Sequence, residues 1–489
     1  MPDAAAFVLF AAVLGAAVGA GEALRAWAGW PADATRRVVH ALVGLATAAS
    51  LSGFRSPALI YVLAGVFVAG NGVALARGWF PGMHGTARRS VGTVLFPLAL
   101  ALCLVAGWTW GADRVFAVQA AFAVLALADP AASLVGARAR RFRYAVGRGT
   151  KSAAGSLTFA LVAGAVTGAS LSIGRPAAWG GGEVALAALT VALVGAAAES
   201  VGRDGWDNLT VPLAVVVALV ALERAVEAGD AARFAWALAA GVAFAGATWR
   251  VGALDVSGAL AGALLAWALV AVGGVVWAAP ALTFFVPSAA LSRLPGGDRR
   301  DAGGRTAGQV LANGGVGLAL LALWAVRPAD DAWGIVLWTA FASSFAAAAA
   351  DTWATEIGTR YGGVPRRLGF GRRLTPGESG GVTLTGTLAS VAGAASVGLA
   401  VMLASGSPWM GAGLIVAGVA GAAVDTLLGA TLQARFRASD GAVVETAGDD
   451  APLVSGVQWM TNGAVNLACT ATGAAVGAPV GLLVWFLHT

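Results

Sequence analysis

Lysine occurs once in these 489 residues, at position 151, and histidine and tyrosine occur three times each. Charged residues make up only 11% of the chain. That scarcity leaves no segment with the composition of a separate soluble domain. The two cysteines, Cys103 and Cys469, both lie inside apolar runs, which argues against a disulfide-stapled extracellular module. What fills the chain instead is apolar. Such residues are 58% of it, and mean hydropathy is +0.78. Alanine and glycine are abundant, which suits tightly packed membrane helices and equally a GC-rich genome. Genome bias explains the loss of lysine elsewhere; it does not explain why Lys151 remains.

Apolar runs of about 17–25 residues, enough to cross a bilayer, recur from end to end. Roughly sixteen can be read, with those near 256–291 and 455–486 the weakest. The expected fold is therefore all-α: a polytopic integral membrane helical bundle. Residues 4–24 read as a retained helix, because Met1, Pro2 and Asp3 stand where a signal peptide would carry basic residues. On a sixteen-span path, 25 of the 31 basic residues fall in loops on one side and 6 on the other. The larger group includes Arg77, Arg88 and Arg89, Arg148, and Arg299 and Arg300. By the positive-inside rule that side is cytoplasmic, at the cell (inner) membrane, with both termini outside. A polar break, Glu223 to Asp230, suggests two halves, 1–228 and 245–489. By eye they do not align as repeats, so they read as a fusion of two enzymes.

Four pieces stand out in the first half. Arg36, Arg37 and His40 open a helix at the inner surface. Asp129 sits deep in an apolar run beside Pro130. A turn rich in Gly, Ser and Thr carries Lys151, Ser152 and Ser156 into a helix, where backbone N–H groups favour an anion. Glu199, Asp204, Asp207 and Asn208 lie at another inner helix end. A phosphate-holding turn with carboxylates able to bind Mg²⁺ is what phosphoryl transfer needs. No Walker loop is present. Each residue also has a plainer reading: His40 as an interfacial histidine, Asp129 as partner of an arginine, Asp207 and Asn208 as a helix cap.

The pieces R-R-V-V-H, A-D-P-A-A-S-L-V-G, T-K-S-A-A-G-S-L and D-N-L-T-V-P resemble, in order, the phytol kinase and dolichol kinase family, which is also similar to CDP-diacylglycerol synthases. The resemblance covers about residues 1–225. It implies a CTP-dependent kinase acting on a polyprenyl alcohol, with Asp129, Lys151, Ser152, Ser156, Asp207 and Asn208 around nucleotide and metal. Family members commonly carry G-D where this chain has Ala128 and Asp129; the acid is kept.

In the second half an apolar run ends in Asp351, with Glu356 five residues on. An arginine-rich loop follows (Arg360, Arg366, Arg367, Arg372, Arg373), then the turn Gly377 to Gly381 with Ser379 and Gly380. Asp425 lies within another apolar span. Gln309 and Asn313 stand one helical turn apart, as do Asn462 and Asn466. Buried acids and amides in lipid must find partners or ligands. Asp351, Glu356 and Asp425 could hold one or two Mg²⁺; the alternative, for the asparagines and for Asp351 with Asp425, is interhelical hydrogen-bond glue. The stretches D-T-W-A-T-E-I-G, G-E-S-G-G-V-T-L-T-G and D-T-L-L-G-A-T-L-Q look like the membrane family that includes the plant phytyl-phosphate kinase, over roughly 245–489. That resemblance implies transfer of a second phosphate onto a prenyl monophosphate. Family members usually have Gly-Thr-Ser-Gly-Gly or similar at the turn, so Glu378 is a departure whose role stays open.

Together these readings give a bifunctional prenol kinase and prenyl-phosphate kinase. Catalysis would fall to Asp129, Lys151, Asp207, Asp351, Glu356 and Asp425, with the five acids among them also the metal ligands. Arg36, Arg37, His40, Ser152, Ser156, Asn208, Asn313, Arg366, Arg367, Arg372, Ser379, Gly380, Gly381, Asn462 and Asn466 would bind nucleotide and phosphate. CTP or another nucleoside triphosphate is the expected donor and Mg²⁺ the cofactor. The expected partners are the bilayer, the nucleotide, an isoprenoid alcohol (phytol, geranylgeraniol or farnesol) and its monophosphate, but no nucleic-acid polymer. Two alternatives stay open. One is a transporter using buried acids; the other is a first half that acts as a cytidylyltransferase and releases pyrophosphate.

Overall fold

The computed structural model describes residues 2–77, 90–111, 114–147, 149–294, 303–328, 331–368, 371–438, 441–445 and 451–488. Arg88, Arg89, Arg148, Arg299 and Arg300, which were counted toward the basic bias, lie outside them. The chain forms two compact units, Met1–Val242 with Ala325–Pro328, and Ala243–Trp324 with Ala329–Thr489.

The first unit runs α1 (Asp3–Ala28), α2 (Ala32–Ser50), α3 (Ala58–Arg77), α4 (Gly92–Leu104) and α5 (Val115–Arg138). A hairpin of β1 (Arg143–Val146) and β2 (Gly149–Ser152) follows, then α6 (Ala153–Ile173), α7 (Gly181–Val201) and α8 (Asp207–Glu227). The boundary at Val242 falls inside α9 (Ala232–Arg250). The second unit carries α10 (Val256–Ala268), α11 (Val275–Leu291), α12 (Ala307–Val326, whose last two residues fall in the first unit) and α13 (Asp331–Tyr361). Strands β3 (Arg366–Arg367) and β4 (Gly381–Val382) lead to α14 (Leu384–Ser405) and α15 (Pro408–Thr431). A small sheet of β5 (Arg435–Arg437), β6 (Val443–Val444) and β7 (Leu453–Ser455) precedes α16 (Asn462–His488).

This is an all-α polytopic membrane protein. Among the described residues there are sixteen α-helices, but thirteen spans long and apolar enough to cross a bilayer. The sixteen helices match the number of spans read from the sequence, and thirteen of the spans meet the length and apolar character of a crossing. Helix α2 is interrupted by Asp33, Arg36, Arg37 and His40, and the 19 residues of α9 include Arg233 and Arg250. Helix α11 has 17 residues and two internal prolines, Pro280 and Pro287. The short strands lie in loops and leave no apolar periodicity to read.

Each unit has one central helix made narrow by small side chains. In α5, Ala117, Ala120, Ala121, Ala126 and Ala128 are fully buried, and α2, α6 and α8 pack around it. In α13 the run Ala346 to Ala350 is fully buried, and α14, α15 and α16 pack around it. They approach through glycine: a Cβ on Gly393 would lie 2.5 Å from Ala349 O, on Gly418 2.9 Å from Ala346 O, and on Gly473 2.7 Å from Ser343 O. Without solvent to drive helices together, such close van der Waals contact supplies the cohesion. Helix α13 is 31 residues long, about 46 Å at 1.5 Å per residue. That exceeds a hydrocarbon core of about 30 Å. The stretch from Asp331 to Asp351 alone rises about 30 Å, with Glu356 and Arg360 beyond it.

Candidate functional sites in the two units

In the first unit the hairpin places Lys151. Strands β1 and β2 pair antiparallel with Tyr144 opposite Lys151, and Gly147 turns the chain at φ +56°. Ser152 then caps α6, its Oγ accepting from the Gly155 N–H at 3.2 Å. This brings α6 onto α5 where both are glycine: a Cβ on Gly155 would stand 3.3 Å from Gly136 Cα.

Lys151 Nζ donates to both the carboxylate and the backbone oxygen of Glu199, in the last turn of α7. Burial works against the charged amine. Glu199, Asp207 and Asp129 outweigh it and hold the ammonium above the ordinary lysine value. Ser156 Oγ lies 2.9 Å from Ser200 Oγ and 2.8 Å from the Tyr144 hydroxyl, tying the start of α6 to α7 and the hairpin. Asp129 faces His40 at 3.8 Å and stands within electrostatic reach of Asp207, Glu199, Lys151 and Arg36. Arg37 donates to Ser133 Oγ at 3.3 Å, one turn beyond Asp129.

Asp207 is not the helix cap: Trp206 holds that position, and Asp207 opens α8 with Oδ1 accepting from the Asn208 N–H at 3.1 Å. Asn208 Nδ2 donates to Gly205 O at 3.2 Å and fills the space where a Cβ on Gly92 would be. The residues expected around nucleotide and metal in this half are thus neighbours in space. Glu199 belongs with them as the partner of Lys151, and Tyr144 sits beside Ser156. A tyrosine in a short basic loop gave no motif to notice.

The second unit is arranged differently. Asp351 and Asp425 face each other within hydrogen-bonding reach across α13 and α15. Two facing carboxyl groups need either a shared proton or a cation between them. Asp425 Oδ1 is buried with no hydrogen-bond partner. Glu356, expected to join this pair, does not. Five residues on from Asp351, it is turned by about 140° around the helix. Its Oε1 accepts from Ser292 Oγ at 2.7 Å and its Oε2 pairs with Arg360 at 2.7 Å, while Arg305 donates to the same Ser292 at 2.8 Å.

The glycine turn closes on the end of α15. Gly380, at φ +81°, lies so near the helix that a Cβ would sit 2.5 Å from Ala430 Cα. Ser379 N donates to Glu445 Oε1 at 3.0 Å. Glu378 accepts from Arg435 at 2.9 Å, and Arg435 also donates to Ser379 O at 3.0 Å. Glu378, the departure from the family pattern, is therefore an anchor for the turn. Arg367 donates to Ala430 O, and its strand pairs it with Gly381. Arg366 and Arg372 are exposed. Asn313 bonds back to Gln309 O in its own helix at 3.1 Å, Asn462 is exposed at the start of α16, and Asn466 is half-buried one turn on. Glu445, which acts on Asp425, was missed because it stands in a polar loop with no apolar frame to make it conspicuous.

Among the described residues, no three His, Cys, Asp or Glu groups gather closely enough to enclose a metal ion. Mg²⁺ is commonly held by one or two carboxylates plus substrate phosphates. Asp129 with Asp207, and Asp351 with Asp425, fit that partial donor set.

Comparison with known proteins identifies the family. Over 208 residues, 42% of this chain and 86% of the relative, it is 37% identical to a phytol kinase of Synechocystis sp.. The chain belongs to the phytol kinase family. Residues 239–474 also match the family described as integral membrane protein DUF92. Two other relatives are 28% identical: Protein PGR of Arabidopsis thaliana, over 44% of this chain and 84% of that protein, and the uncharacterized membrane protein MJ0933 of Methanocaldococcus jannaschii, over 37% and 75%. No solved structure matches.

Proposed function

We propose that this phytol kinase family member phosphorylates an isoprenoid alcohol twice, once in each unit. The observation that carries the reading is the first unit's cluster, in which Lys151, Glu199, Asp129, Asp207 and His40 act on one another at the mouth of a capped helix. Lys151 would neutralise a triphosphate arriving at the start of α6, where backbone N–H groups also favour an anion. The substrate oxygen attacks the γ-phosphorus of CTP, the bond from that phosphorus to the β–γ bridging oxygen breaks, and CDP leaves. The hydroxyl proton passes to a carboxylate of the cluster. Asp129 and Asp207 would hold Mg²⁺, which supplies charge neutralisation on the phosphates when bound.

In the second unit a phosphate oxygen of the prenyl monophosphate attacks the γ-phosphorus of a nucleoside triphosphate, the bond from that phosphorus to the β–γ bridging oxygen breaks, the nucleoside diphosphate leaves, and the product is the prenyl diphosphate. Asp351 and Asp425 would hold Mg²⁺ there, with Arg367 and the Ser379 to Gly381 turn beside the phosphates. The isoprenoid chain would lie among the helices in the bilayer, and both sites would face the cytoplasm, where nucleoside triphosphates are found. With both steps in one chain, the monophosphate need not leave the membrane.

The test supplies membranes with labelled prenol, CTP and Mg²⁺ and separates the products. Lys151→Ala is expected to make no monophosphate; Asp351→Ala is expected to accumulate it. Diphosphate at the normal level from Asp351→Ala would end the assignment of the second unit. Release of pyrophosphate instead of CDP would make the first unit a cytidylyltransferase.

A further inference from the structure

The two units contain the same local construction, although their sequences differ. In the first, Ala132 and Gly136 stand three and seven residues after Asp129 on α5. A hairpin follows, and α6 opens on Ser152, whose Oγ accepts from the Gly155 N–H at 3.2 Å. In the second, Ala354 and Gly358 stand three and seven residues after Asp351 on α13. Strands β3 and β4 follow, and α14 opens on Thr383, whose Oγ1 accepts from the Gly386 N–H at 3.0 Å. The helix contacts coincide atom for atom. A Cβ on Gly155 would meet Ala132 O at 3.1 Å and Gly136 Cα at 3.3 Å; one on Gly386 would meet Ala354 O at 3.2 Å and Gly358 Cα at 3.5 Å.

The basic groups coincide as well. Lys151, from the hairpin before α6, donates to a backbone oxygen in the last turn of α7 (Glu199). Arg367, from the strand pair before α14, donates to a backbone oxygen in the last turn of α15 (Ala430). Helix α7 packs on α6 as α15 packs on α14. In both units, therefore, a cationic head is pinned to the end of the third helix of the set, beside the capped start of the second.

A separate observation points to a ligand at this place. Gln433, just beyond α15, is 3% exposed, and its Nε2 has no hydrogen-bond partner. Its amide lies beside the glycine turn: a Cβ on Gly429 would stand 3.1 Å from Gly380 N, 3.3 Å from Ser379 Cβ and 3.4 Å from Gln433 Oε1. Buried amide donors are almost always satisfied, so one left open beside an arginine and a glycine turn is suited to an anionic acceptor.

We infer that both units hold the phosphates of a nucleoside triphosphate in one shared scaffold, and that in the second unit Arg367 and Gln433 do for that ligand what Lys151 does in the first. The inference rests on reading both units as phosphotransferases, and it names the donor site of the second. Equilibrium binding to the purified full chain tests it, using non-hydrolysable CTP and, separately, non-hydrolysable ATP. Wild type should bind two nucleotides per chain. Lys151→Ala should lose one. Arg367→Ala should weaken the other by about tenfold or more, the effect of removing a charge-assisted donor, and Arg367→Lys should stay within about threefold of wild type. Gln433→Leu should weaken the same site by about three- to tenfold. Retention of the Lys151-dependent site in these variants reports that they are folded. If wild type binds one nucleotide, lost in Lys151→Ala but untouched by Arg367→Ala and Gln433→Leu, the inference fails and the first-unit kinase stands. If neither nucleotide binds to any form, the kinase reading falls with it.

Discussion

The two units manage buried acid in opposite ways. In the first, Asp129, Glu199 and Asp207 lie among Lys151, His40 and Arg36, so cationic side chains are already present in the cluster. In the second, Asp351 and Asp425 face each other directly, and the further charge that acts on Asp425 is another acid, Glu445. The same helix-and-glycine frame therefore carries a cluster charge-balanced from within and a pair that needs a proton or a cation from outside. The difference suits their proposed acceptors, a neutral alcohol in one unit and a phosphate monoester accompanied by metal in the other.

The sharpest way to break this comparison is to remove the built-in cation. Lys151→Ala should cut monophosphate formation by about 10²–10³-fold, the usual cost of losing one preorganised group that stabilises developing charge. Product analysis with supplied prenyl monophosphate should at the same time find the second step intact. Asp425→Asn should slow conversion of monophosphate to diphosphate by about 10²-fold, read by the same assay, because an amide cannot share a proton or bind a cation as the carboxylate does. Lowering free Mg²⁺ should stop the second step before the first, since only the first has a lysine in its cluster; coincident loss of both would erase the distinction.

Gly380→Ala should destabilise the second unit by about 1–3 kcal/mol, since it adds a Cβ at positive φ against a helix backbone. Gly136→Ala, whose Cβ would meet Ser152 Oγ at 3.2 Å, should cost less. Thermal melting in detergent ranks the pair. The smallest effect concerns pH. Because its neighbours hold Lys151 above the ordinary lysine value, it stays protonated, and first-step activity should show no lysine titration below about pH 10. A fall near neutrality that disappears in Lys151→Arg would contradict that electrostatic picture.

How far the sequence foretold this depends on where each group sits. Lys151, Asp129, Asp351 and Asp425 were conspicuous because a charge inside or beside an apolar run is rare, and the structure brings Lys151 to Asp129 and Asp351 to Asp425. The helical class was equally plain, since lipid leaves the backbone little alternative. Which of the sixteen helices are apolar enough to cross was less legible: polar side chains in α2 and prolines in α11 sit within helices that still form. Glu356 read as a third acid of the pair because spacing along a chain does not show that five residues rotate a side chain onto another face. The repeated Asp, Ala, Gly frame escaped notice because its members are small, common residues. Only contact with a second glycine, 19 residues further on in the first unit and 28 in the second, marks them.

The most direct measurement mixes two disabled proteins in one membrane. Lys151→Ala, supplied with prenyl monophosphate, should make diphosphate at the wild-type rate, and Asp351→Asn should make monophosphate from alcohol. Together they should restore diphosphate synthesis from the alcohol. If Lys151→Ala cannot use supplied monophosphate, or the mixture makes no diphosphate while each protein is folded, then the units are not two successive kinases.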